Sequence, residues 1–161
     1  LNTFIVLYFM NHFHESQNFS NLLLSVYYGI GALFTLIGGK LGDKHGYRTF
    51  VRFGFLLAFP AALILAWTDS SILGILCLIV LGAALNLTYS PMVVLGQQYL
   101  PNRVGLASGI TLGLAVSVGG ITAPLLGKVG DMYGLETTFC VIALITLIPL
   151  ISSFTLPKPK K

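Results

Sequence analysis

Five stretches of this chain are each long and apolar enough to cross a lipid bilayer, and that leaves few folds open. A spanning helix needs about 20 predominantly apolar residues to cover roughly 30 Å of hydrocarbon, where no water satisfies an exposed backbone. Runs at about 21–42, 49–68, 71–100, 104–130 and 135–156 meet that length; a sixth, at 1–13, has the composition of a span but is shorter. Only 9% of residues are charged, against about 25% in a water-soluble domain, and the mean hydropathy is +0.87. The chain therefore reads as an all-α membrane protein. It begins at Leu1 inside an apolar run, without a leader pattern, and is expected to be part of something longer.

Within this series one octapeptide occurs twice. Gly-Lys-Leu-Gly-Asp-Lys-His-Gly at 39–46 returns as Gly-Lys-Val-Gly-Asp-Met-Tyr-Gly at 127–134, each copy closing an apolar run and holding one carboxylate, Asp43 or Asp131, between glycines. Such glycines are expected to let the backbone bend as it leaves a helix. Counting spans puts the copies on opposite faces of the membrane. Two inverted triplets follow, about 1–68 and 71–156, an arrangement common in secondary transporters.

Charge supplies an orientation, since cytoplasmic loops collect Lys and Arg. Of the nine basic residues, Lys40, Lys44, Arg48, Arg52, Arg103, Lys158, Lys160 and Lys161 share one face and Lys128 stands on the other, with Glu15, Asp69, Asp131 and Glu136. A multi-pass protein of the cell membrane with a cytoplasmic C-terminus is expected. The net charge of +4 reads as topology rather than nucleic-acid binding, because the basic residues are not interleaved with stacking aromatics.

Cys77 and Cys140 lie mid-run among aliphatic residues and read as inert buried thiols. His12, His14 and Glu15 do not make a metal site, since residues two apart do not share a helix face. No cofactor motif and no pair of nucleophile and base is present, so the chain reads as a non-enzyme.

Small residues mark one side of the fifth run: Gly105, Gly109, Gly113 and Ser117, then Gly119, Ala123, Pro124 and Gly127. A shorter stripe in the second run is Gly31, Thr35 and Gly39. Close helix packing explains both stripes, and so does packing between helices that slide.

These residues resemble the major facilitator superfamily, over almost the whole chain, as its C-terminal half from a partial helix seven to helix twelve. Gly39, Asp43, Lys44, Gly46, Tyr47 and Arg48 are similar to that superfamily's loop signature between helices eight and nine, with Thr49 in place of a frequent third basic residue. The runs 90–109 and 119–127 resemble the fosmidomycin-resistance branch of drug exporters; Ala123 stands where the antiporter element usually has glycine, and Gln98 where an acid is often found. The resemblance implies a six-helix half of a two-half carrier that rocks around a central site, driven by an ion gradient. It also implies that the loop of Gly39, Asp43, Lys44, Gly46 and Arg48 secures one conformation, as a charge cluster meeting the end of a neighbouring helix; topology alone is the other reading.

Substrate contacts in a carrier lie near the midplane. Asn86, Tyr89 and Ser90 share a helix face above Pro91, which removes a backbone donor. Tyr8 and Asn11 from the first run and Tyr27 from the second are further candidates, with interhelical hydrogen bonding or interfacial anchoring as the alternatives. No Asp, Glu, Lys or Arg lies mid-span, so a proton carrier of the usual kind is expected elsewhere. The reading with the most support is proton-coupled efflux of small drugs or metabolites by alternating access. The expected partners are the bilayer, an N-terminal half, protons and a small-molecule substrate. Uptake symport and a non-transporting membrane subunit are the alternatives.

Overall fold

The computed structural model describes residues 2–156, apart from the side chain of Thr3. Leu1 and the tail lysines Lys158, Lys160 and Lys161, used above for the first run and for orientation, lie outside the described residues. Six helices follow one another: α1 Asn2–Asn11, α2 Gln17–His45, α3 Tyr47–Trp67, α4 Ser71–Tyr99, α5 Val104–Tyr133 and α6 Leu135–Thr155, with a single 3-10 turn, Pro101–Arg103, between α4 and α5. No strand occurs among the described residues. The five helices α2 to α6 are long and apolar enough to span a bilayer, whereas the 10 residues of α1 reach only about 15 Å.

Helices run past the apolar stretches, which corrects the reading of the octapeptides. Gly39 to His45 and Gly127 to Tyr133 are helical, with Asp43 and Asp131 inside the last turns; only the final glycine of each copy leaves the helix. Gly46 (φ +92°) and Gly134 (φ +86°) adopt the left-handed region that a side chain disfavours. Their amides close the helix on the carbonyls of Gly42 and Gly130. At the start of α2, Ser16 accepts from the Phe19 amide, so the helix begins four residues before the apolar run.

α4 is the centre of the fold, packed between α2 and α3, while α3 also packs along α6. The alanines Ala58, Ala61, Ala62 and Ala66 keep α3 narrow, and the rings of Tyr8, Phe9 and Phe139 fill the space beside them. α2 and α4 come closer still. A Cβ on Gly38 would collide with the carbonyl oxygen of Leu87, the acceptor left without its helical donor by Pro91 four residues later. The glycine thus brings backbone to the carbonyl that proline frees. Helix α4 continues through Pro91, as α3, α5 and α6 do through Pro60, Pro124 and Pro149.

α5 is the least covered span. Only Ala107 and Leu126 are buried on it, and Gly105, Gly109, Gly113 and Gly119 have nothing within 4 Å of where a side chain would start. Ser117 and Pro124 are exposed, and Gly127 approaches only Phe4, at 4.0 Å. From Gly105 to Gly119 the small-residue stripe therefore packs against no helix among the described residues. Beside it an apolar cleft of about 770 Å³ runs between α5 and α6, walled by Met92, Leu114, Val118 and Ile142.

Candidate functional site

The polar groups at mid-depth gather on the seam between α2 and α4. Asn86 lies against Gly31, where a Cβ would come within 2.8 Å of its side-chain nitrogen. That nitrogen donates to the Gly82 carbonyl at 2.8 Å. Thr35 donates to Gly31 O at 2.9 Å and reaches Asn86 O at 3.4 Å. One turn lower, Ser90 sits opposite Gly39, with its hydroxyl 3.0 Å from where a Cβ would lie. The second stripe is thus the groove that admits the polar side chains of α4. Tyr89 points outward, half exposed, beside this seam.

Of the other candidates one joins it and two do not. Tyr27 is buried against Gly82, facing the α4 side of the same seam. Tyr8 is fully buried and its hydroxyl donates to Leu65 O at 2.6 Å, so its polar end is used in joining α1 to α3 and is closed to a substrate. Asn11 is exposed at the far end of α1, away from the seam, where it lines a polar cavity of about 380 Å³ with His12, Tyr133 and Glu136.

The residues of the loop signature, Gly39 to Arg48, are joined locally. The Tyr47 hydroxyl donates to Asp43 across the Gly46 turn, so the carboxylate in the last turn of α2 meets the first residue of α3, four positions on. Lys44 is exposed and Gly46 makes the turn. Arg48 is half buried, its Nε without a hydrogen-bond partner.

Two clusters escaped the sequence reading because each depends on residues far apart in the chain. At the basic end Arg52 donates from Nε to Ser153 O at 3.0 Å and from Nη2 to Phe154 O at 3.2 Å, over the Phe154 ring. A guanidinium there meets the negative end of the α6 dipole. At the acidic end His12 Nδ1 lies 3.0 Å from Glu136 Oε1, and Nε2 lies 3.0 Å from Thr68 O and 3.9 Å from Asp69. The position of His12 at the end of an apolar run, on the face that collects Asp69 and Glu136, was the signal available. Cys140 also departs from expectation: it is only partly buried and accepts from Trp67 Nε1 at 3.1 Å. Among the described residues no group of three or more His, Cys, Asp or Glu is placed to hold a metal ion.

The sequence model of the Major Facilitator Superfamily matches residues 1–161. The chain is 32% identical over 162 residues to "Uncharacterized MFS-type transporter YfnC" of Bacillus subtilis, covering 100% of this chain and 39% of that protein. It is 32% identical over 155 residues to the "Fosmidomycin resistance protein" of Escherichia coli (96% and 38%) and 28% identical over 148 residues to "MFS-type transporter ppzB" of Metarhizium majus (87% and 32%). It therefore spans about two fifths of the length of the first two relatives. No solved structure matches significantly. Matched over its whole length and folded as a six-helix, all-α multi-pass membrane unit, the chain belongs to the major facilitator superfamily.

Proposed function

We propose that this chain is the C-terminal half of a secondary active transporter that exports small organic molecules by alternating access, coupled to a proton gradient and without covalent catalysis. The observation that carries the reading is the family match over the full chain combined with coverage of only two fifths of its relatives. The small-residue face of α5 and the outer side of α2 are free among the described residues, which fits a second half seated there. The inverted triplets 1–68 and 71–156 fit the same arrangement, with the basic end facing the cytoplasm.

In this scheme the substrate meets the side of α4 that carries Asn86, Tyr89 and Ser90, and the Asp43–Tyr47 pair with Lys44 and Arg48 biases one conformation of the cycle. The similarity of this chain to a relative named as a fosmidomycin resistance protein supports export of a small compound. The test is accumulation of labelled compounds, fosmidomycin first, in cells expressing the full-length protein, with and without a protonophore. Export predicts low accumulation that rises when the proton gradient collapses. Accumulation that needs the gradient would reverse the direction, and accumulation indifferent to both expression and protonophore would sink the transport reading.

A further inference from the structure

Three parts of the chain meet at His12, and their chemistry is one-sided. Nδ1 faces the carboxylate of Glu136, in the first turn of α6, and Nε2 faces the carbonyl of Thr68, where α3 ends, with Asp69 beyond it. Both partners are acceptors. A neutral imidazole has one N–H and one lone pair, so either tautomer turns a lone pair toward an acceptor. Only the imidazolium donates in both directions.

The ring is held in place by neighbours in its own segment. It stacks on Tyr8 at 4.9 Å and 11° and meets Phe13 edge-on at 4.7 Å. Its side chain is 15% exposed, against 63% for Glu136 and 100% for Asp69. Tyr133 of α5 and Cys140 of α6 complete the titratable groups around it, lining the two small cavities that flank His12. Glu15, in the turn after α1, accepts from Ser71 at 2.6 Å and ties that turn to α4.

We propose that His12 is a proton-binding clasp, tying the end of α1 to the α3–α4 turn and to the start of α6 when charged, and releasing at least one of them when neutral. It joins elements within this half, so it governs how firmly α1 is seated at the acidic end rather than forming a gate between halves. The sign is fixed by the donors. The clasp is complete while the ring carries its second proton and is lost when that proton leaves, so it weakens as pH rises.

Purified full-length protein in detergent tests this without reference to transport or to membrane orientation, because both ends see the same buffer. Maleimide labelling of Cys140, beside the clasp, is followed from pH 5.5 to 8.5 in the wild type and in His12→Gln. Dividing one rate by the other at each pH removes the thiol's own titration. Labelling of the wild type is expected to be about five- to ten-fold slower than that of His12→Gln at pH 5.5, with the two converging by pH 8.5. Glu136→Gln should remove most of the difference. A ratio that stays flat across the range, or one indifferent to Glu136→Gln, overturns the clasp and leaves His12 as a packing residue. Should His12→Gln not survive purification, the wild type and Glu136→Gln give the same comparison, with the same reversal.

Discussion

Gly38 and Gly46 show two different uses of a missing side chain. At Gly46 the requirement is conformational: φ of +92° is needed to end α2 and start α3 at once. Gly46→Ala is expected to cost about 1–2 kcal/mol, read as a lower apparent melting temperature in detergent. At Gly38 the requirement is space, since the nearest atom is the backbone oxygen of Leu87, which cannot swing aside as a side chain could. Gly38→Ala is expected to cost about 1–3 kcal/mol by forcing α2 and α4 apart. Gly29→Ala, with nothing within 4 Å, is the control expected to leave the melting temperature unchanged or raised. Equal losses for Gly38 and Gly29 would count against the close approach. Sequence singled out Gly46 for its turn but neither Gly38 nor Gly29; which glycine inside a helix has a neighbour depends on the rotation of that helix, and that is a tertiary fact.

At the level of elements, α3 and α6 are joined at both ends by side chains whose partners the sequence did not show: Arg52 was read as a topology marker and His12 only against a metal site. Arg52 holds the last carbonyls of α6 and His12 bridges the end of α3 to the first turn of α6. Loss of the guanidinium leaves those carbonyls to fray. Arg52→Gln is expected to raise hydrogen exchange over residues 150–155 by about five- to ten-fold while leaving the middle of α6 protected. Arg52→Lys should restore little, since one ammonium does not reproduce the forked pair. Full protection in Arg52→Lys would mean that charge alone is enough. Helix existence was legible because each apolar run is as long as the hydrocarbon layer is thick. Helix ends were less so, because Ser16, Lys44 and Asp131 extend polar turns beyond the apolar stretch and hydropathy does not register them.

For the whole molecule, the uncovered side of α5 and the orientation proposed for the basic end make linked predictions. In intact cells expressing the full-length protein, Lys44→Cys is expected to be shielded from an impermeant maleimide and Asp131→Cys to react, roughly ten-fold faster. The reverse pattern would invert the proposed orientation. A cysteine placed at Gly109 should be protected by the second half in one state of the cycle and labelled in the other; constant reactivity with and without substrate would argue that α5 faces lipid throughout. By itself the sequence determined the class of solvent, the number of long spans, the two ends that carry opposite charge and the family, because each of these depends on run length, composition or local motif. Only the tertiary structure decided that Tyr8 is spent on Leu65, that Asn86 lies against Gly31, and that His12 stands between two acceptors. Those pairings join residues more than fifty positions apart, and their partners are set by how six helices rotate and approach, which no local pattern encodes.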